Sequence, residues 1–303
     1  MNATPTPVQY DLCLAWNWEY DADFVALLAG AFAAHGNTLL QVTPANLAAT
    51  IDDLTAGRVS VRASLDRASE SEPAFLPLDV LARGRGVRRI NPQERSQIAA
   101  NKSAMHRSLF ALVRTPHTIV LAPHAVEPEP KALDLAPLGP SFTIKPAHGG
   151  GGEGVVQDAR SLAEVLAARR AFPDDEYLLQ TQLVPAVLGG RPGWFRVIYC
   201  TGEVFPCWWN TSTHVYAPVT PEEETALGLS GLRTITGTIA RVCGLRLFST
   251  EIALLPDGAL VVVDYTNDPI DLRLQSCCRE GVPDAVVRAV AERLRVFAAE
   301  PKG

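Results

Sequence analysis

The sequence has no surplus of positive charge: 27 Lys and Arg stand against 33 Asp and Glu, for a formal charge of −6. That excludes the basic field with which proteins bind nucleic acid without sequence preference, while leaving room for a local basic pocket that takes a small anion. Long apolar runs are also missing. The longest, Phe24 to Ala34, has eleven residues, against the roughly 20 needed to span a bilayer, so it reads as a buried helix and no membrane partner is expected. MNATPTPVQYD at the start has no basic segment leading into an apolar core, so no secretory signal is expected and the cytoplasm is the expected compartment. Cys13, Cys200, Cys207, Cys243, Cys277 and Cys278 lack paired metal-ligand spacing and read as reduced thiols. Neither a repeat of fixed period nor a long low-complexity tract is present.

What is there is a globular composition, 47% hydrophobic and 20% charged, over 303 residues, enough for two or three lobes of about 100 residues each. Apolar runs at 10–16, 39–43, 59–65 and 87–90 read as strands that alternate with helical stretches at 23–35, 44–54 and 73–83. Such alternation predicts parallel βαβ units, whose ligands collect beyond the carboxyl ends of the strands, where Trp18, Glu19, Asp21, Asp66 and Arg67 fall. A long helix is predicted over 93–113, then a strand to 121 and a proline-rich connection over 123–140. From Phe142 the pattern becomes antiparallel. It shows FTIKP, a glycine loop and GVVQ, a capped helix from Ser161, a strand at 177–184, a hairpin turning at Thr201-Gly202, a helix at 232–243, and a hairpin turning at Pro256-Asp257-Gly258 before a last helix.

Two constellations carry chemistry. In Lys145-Pro146-Ala147-His148 followed by Gly149, Gly150, Gly151, Gly152, Glu153 and Gly154, the glycines leave main-chain N–H groups free to approach phosphates, and Lys145 supplies a point charge at the strand's end. It is neither a G-x-x-x-x-G-K-[ST] loop nor a G-x-G-x-x-G helix opener. The second constellation is acidic. A hairpin centred on Asp257-Gly258 sets Glu251 opposite Asp264, and two carboxylates on adjacent apolar strands are costly unless a cation compensates them. Asn267 and Asp268 follow closely, so hard oxygen ligands suited to magnesium converge.

Together these motifs resemble the ATP-grasp superfamily, over roughly residues 95–275, with a preceding segment similar to the Rossmann-like domain that commonly comes before it. The resemblance implies an α/β, strictly α+β, fold: a parallel pre-ATP-grasp domain over 1–92, a helical element and small lobe with a glycine-rich lid over 93–180, and a large lobe with the metal site over 181–303. It implies ATP as cofactor with Mg²⁺, or Mn²⁺ in its place, held by Glu251, Asp264 and either Asn267 or Asp268. The family's asparagine falls two residues after the second acid, where this chain has Thr266. Nucleotide contacts are implied for Lys102, Lys145, His148, Gly149 to Gly152 and Gly154, with adenine received by the strand segment Gln180, Thr181, Gln182 and Leu183.

Arg196 resembles the family's arginine on a strand lining the phosphate or acceptor site, and with Arg273 and Lys145 makes the implied catalytic set. Glu19, Asp66, Arg67 and Trp209 are the implied substrate contacts. The activity implied is a ligase that phosphorylates a small-molecule carboxylate and passes the acyl group to an amine or thiol, with a homo-oligomer left open. Ser249 stands where dipeptide-forming members have an arginine, which keeps a small-molecule kinase of the same fold as the alternative, alongside a nucleotide-binding protein without catalysis.

Overall fold

Residues 7–131 and 133–301 are described by a computed structural model. The chain opens with β1 (Val8–Ala15), α1 (Ala22–Ala34), β2 (Leu39–Val42), α2 (Leu47–Thr55), β3 (Val59–Asp66), α3 (Leu76–Gly84) and β4 (Arg88–Ile90). The four strands form one parallel sheet in the order β2-β1-β3-β4, as the strand–helix alternation predicts. Phe24, Val25, Leu28 and Phe32 of α1 are buried, the spacing of one helix face.

The predicted helix over 93–113 is two helices, α4 (Gln93–Ala100) and α5 (Lys102–Leu109). The break is at Asn101, whose backbone is extended (ψ 102°) and whose side chain accepts from the Ala104 N–H to cap α5. Asparagine competes well for this position because its carbonyl satisfies a helix-start donor. The cap also turns α5 and sets Lys102 at its first position.

A second sheet follows: β5 (Thr118–Leu121), β6 (Phe142–Pro146), β7 (Val156–Ala159), α6 (Leu162–Arg169) and β8 (Tyr177–Thr181), antiparallel in the order β5-β8-β6-β7. A short pair, β9 (Val187–Leu188) and β10 (Arg191–Pro192), leads into β11 (Trp194–Cys200), β12 (Glu203–Asn210), β13 (Val215–Pro218), α7 (Pro221–Ala226), α8 (Gly231–Cys243), β14 (Leu247–Leu254), β15 (Leu260–Asn267) and α9 (Asp284–Ala299). The third sheet is antiparallel, β13-β12-β11-β14-β15. One face of it, with Phe195, Val197, Trp208, Phe248 and Ile252, packs in the cluster that holds Leu232 and Ile239 of α8. The other carries Ile198, Cys200 and Leu247 into the cluster formed by α1, α9 and the parallel sheet.

The parallel sheet is also tied to the segment after β15 by a buried ion pair. Arg67 donates from Nε and Nη2 to the two carboxylate oxygens of Asp21 (2.9 and 2.7 Å) and from Nη2 to the Ile270 carbonyl (2.8 Å). Both side chains are at most 3% exposed. Removing one partner strands the other charge without solvent, which costs about 3–5 kcal/mol. R67M should therefore lower the unfolding free energy by about that much in urea titrations; a loss confined to substrate affinity, with stability unchanged, would contradict the structural reading.

Candidate active site

Glu251 faces Asp264 as expected, but not through the continuous register of a hairpin centred on Asp257-Gly258: next to the turn Ala253 pairs with Val261 and Leu254 with Leu260, and two irregularities follow. Glu251 pairs with Asp264, Ser249 with Asn267 and Ile252 with Val262, so the pairing slips on each side of Glu251. Between the first two pairs β15 holds one residue more than β14. An extra residue of this kind re-aims the side chains beyond it. Regular alternation would put residues 264 and 267 on opposite faces; with the extra residue, Asn267 Nδ2 donates to Asp264 Oδ2 at 3.1 Å. The three-residue spacing is thus compatible with a shared site.

Register also defines what else lies on this face. Arg196 pairs with Glu251, and Trp209 with Tyr216 across β12 and β13. Arg196 Nε lies 3.8 Å from Glu251 Oε1 and 3.4 Å from the Ser249 hydroxyl, to which it donates. Its guanidinium sits 5.0 Å over the Trp209 ring, which stacks on His214 (5.5 Å, 5°) and meets Tyr216 at 4.5 Å. Trp194 Nε1 donates to Glu251 Oε2 at 3.2 Å. Burial raises the proton affinity of Glu251; Arg196 works against that, and Asp264 adds to it.

Lys145 reaches this acidic patch from the second sheet. Its Nζ donates to the Val263 carbonyl at 3.2 Å. Burial lowers its proton affinity, whereas Asp264 and Glu251 raise it. The glycine loop continues from there and returns at β7, with β6 pairing Phe142 to Ala159 and Ile144 to Val156. Gly154 closes it at φ +68°, where an added Cβ would lie 2.6 Å from Phe172 Cε2. Lys102 Nζ donates to the Gly149 carbonyl, and the Lys102 N–H to the Ala147 carbonyl at 2.7 Å, so α5 and the loop root are joined. Gly149, Gly150, Gly151 and Gly152 form the exposed tip.

Along β8 the glutamine side chains are engaged. Gln180 Nε2 donates to Thr118 Oγ1 (3.2 Å) and to the Tyr265 hydroxyl (3.5 Å), while Gln182 is bonded to Asp158 (3.0 Å) and Ser141 (2.6 Å). Any base received at Gln180–Leu183 would meet the main chain. Thr181 Oγ1 is buried without a hydrogen-bond partner, an orphan that a ligand in this segment would satisfy.

Several residues singled out by type are engaged elsewhere. Asp268, one of two alternatives for completing a cation site, turns away: its oxygens accept from Asn91 Nδ2 and Ser96 Oγ, each at 2.6 Å. Arg67 is consumed by Asp21. Asp66 accepts from the Ala68 and Ser69 N–H groups (2.9 and 3.0 Å) and so shapes the turn after β3. Arg273 is forked onto Asp271 (2.8 and 2.6 Å) and lies 5.3 Å from the Tyr20 ring. Glu19 is exposed in a short turn of helix beside Trp18. Sequence reasoning missed Trp194 as a partner of Glu251, although it precedes Arg196 by two positions on one strand, which puts both on one face, and it missed Tyr216 beside Trp209.

Among the described residues no three His, Cys, Asp or Glu side chains form a cation cage. Two facing carboxylates and an amide suit Mg²⁺, which keeps waters and takes phosphate oxygens as its remaining ligands. The donor set therefore fits that ion in company with a nucleotide. No helix among the described residues is long and apolar enough to cross a membrane.

No family model and no curated protein matches the sequence. Solved structures match its fold. The RimK domain ATP-grasp protein from Sphaerobacter thermophilus superposes with a TM-score of 0.63 at 20% identity, covering 95% of this chain and 100% of that one. D-cycloserine synthetase gives 0.58 at 16%, covering 95% and 99%. The D-alanine–D-alanine ligase of Bacillus anthracis, solved with ATP, gives 0.64 at 11%, covering 96% and 97%. The chain has the ATP-grasp fold.

Asp268 makes a test independent of any ligand. Burial pushes its carboxyl up from the ordinary 3.8 to about 6. Folding thus favours the protonated form, so this group's stabilisation is complete below about pH 4 and is lost as pH rises through about 6. D268N, whose amide can still accept from Asn91 and donate to the Ser96 oxygen, should flatten that slope and raise stability at neutral pH in urea titrations. An unaltered slope would show that another group titrates.

Proposed function

We propose that the chain is an ATP- and Mg²⁺-dependent ligase that activates a small-molecule carboxylate as an acyl phosphate for attack by an amine or thiol. The observation that carries this reading is the meeting of two sheets. Lys145, at the root of a glycine-rich hairpin, touches β15 at Val263, beside the facing Glu251 and Asp264. A cation from one lobe and a carboxylate pair from the other are what a polyphosphate with its metal needs at one place.

Glu251, Asp264 and Asn267 would hold Mg²⁺, which when bound neutralises charge on the terminal phosphates. Lys145 adds a fixed positive charge there. The glycine tip folds over the phosphates and excludes water from an acyl phosphate that hydrolyses readily. Arg196 is the group next to Glu251 with a free edge for the substrate's carboxylate, and its guanidinium can orient that oxygen toward the transferred phosphoryl group. No protein nucleophile is required. Proximity of the acyl phosphate to a bound amine or thiol completes the transfer.

Ser249 occupies the place where, by the resemblance, dipeptide-forming members carry an arginine, and Arg196 donates to its hydroxyl from the neighbouring strand. Arg196 already answers to the family's strand arginine, so the kinase stands as the second reading and the product of the assay below decides between the two.

Incubation with ATP, Mg²⁺ and a library of carboxylates, amines and thiols tests the proposal. A ligase yields a condensed product with ADP and phosphate, whereas a kinase yields a phosphorylated product without free phosphate. E251Q and D264N should fold and lose turnover by about 10²-fold or more. K145M should weaken ATP binding by roughly 1–3 kcal/mol, read by calorimetry. Wild-type turnover in the two acid variants would defeat the metal assignment.

A further inference from the structure

The root of the glycine loop is fixed from outside the loop, by an acid on the approach to β8. Asp175 lies in the turn between α6 and β8, its side chain 13% exposed. Both of its carboxylate oxygens go to one residue: Oδ2 accepts from the His148 main-chain N–H and Oδ1 binds the His148 Nδ1, each at 2.8 Å. The adjoining Ala147 N–H donates to the Glu176 carbonyl at 2.8 Å. Such a two-point clip fixes both the backbone and the ring plane of His148. The other ring nitrogen, Nε2, accepts from Asn101 Nδ2 at the cap of α5, 3.2 Å away. The imidazole is itself 57% exposed, so it is held in place without being packed. A neighbouring cation is engaged in the same way, with Lys102 Nζ on the Gly149 carbonyl.

We propose that Asp175 is a positioning residue for nucleotide binding: by clipping His148 it aims Nε2 at the cleft, where a phosphate oxygen replaces Asn101 as its partner. Nε2 accepts from the Asn101 amide here, so donating to a phosphate oxygen requires the ring to take up one proton from solvent as the nucleotide binds, and the Asp175 carboxylate on Nδ1 compensates the charge so formed. Glu176, which pairs with Arg107, Lys102 and Lys145 are further charged groups around the loop root. The inference rests on the reading of this cleft as a nucleotide site. It also limits the lid: residues 147 and 148 stay with β8 and α5, and only the tip beyond them swings.

A double-mutant cycle on the full chain separates this from a merely structural role. The readout is the affinity for a non-hydrolysable ATP analogue with Mg²⁺, measured by calorimetry on variants whose melting shows them folded. D175A should weaken binding about tenfold in the wild-type background, the scale of one charge-assisted hydrogen bond. In H148A, where the ring is already gone, the same change should cost no more than about threefold. D175N repeats the cycle should D175A unfold, because it keeps an oxygen for the main-chain N–H and removes the charge. Equal losses in both backgrounds, or no loss in either, overturn the proposal while leaving the nucleotide site intact. Failure of the wild-type protein to bind the analogue overturns the nucleotide reading, and this inference falls with it.

Discussion

Two carboxylates facing one another on adjacent strands are the constraint to which the rest of the structure answers. Glu251 and Asp264 share a sheet face, and at Glu251 burial and then the neighbouring Asp264 make the charge harder to bear, against the pull of Arg196. Lys145, arriving from a different sheet, has the opposite problem: burial disfavours its charge and the two acids restore it. These penalties offset one another only while β6 and β15 face each other. Electrostatics therefore sets the relation between the two sheets at this point, alongside the apolar packing that surrounds it. The two acids, the lysine and the arginine balance in formal charge; on the proposed reading a divalent cation is called for by the negative charge of the arriving phosphates.

Charged residues that look equally suited to ligands are used to knit the chain together. Arg67 with Asp21, and Asp268 with Asn91 and Ser96, join the segment between β15 and α9 to the first third of the chain, while the partly exposed Arg273 is forked onto Asp271 two residues before it. Helix α9 then packs with α1 and the parallel sheet in one apolar cluster. The last segment of the chain thus completes the first lobe, which accounts for the number of buried polar bonds spent there. A charge with a bidentate buried partner has little left to offer a substrate.

The two antiparallel sheets, the PDG hairpin and the facing of Glu251 and Asp264 were legible because alternation and turn chemistry are local signals with a fixed period. The break at Asn101 was not, since a capping asparagine inside a helical pattern looks like any polar surface position until its φ and ψ are known. The extra residue in β15 was equally hidden. It decides between Asn267 and Asp268 as neighbours of Asp264, and no composition or spacing rule reports a strand irregularity of one residue. The fate of Arg67 and Asp268 depends on partners 46 and 172 to 177 positions away, beyond the reach of any windowed reading.

The large sheet also divides its labour along one face. Glu251, Asp264 and Asn267 lie on β14 and β15, while Trp209 and Tyr216 lie on β12 and β13, and Arg196 on β11 stands between the two groups. On the proposed reading, the phosphates and the reacting carboxylate belong to the acidic side and to Arg196. The body of the acyl substrate then extends toward the aromatic side, where His214 already stacks on Trp209. Chemistry and selectivity would so be assigned to different strand pairs. On that reading a change on β12 or β13 would reach the acids only through Arg196, which is held by the Ser249 hydroxyl and the Trp209 ring.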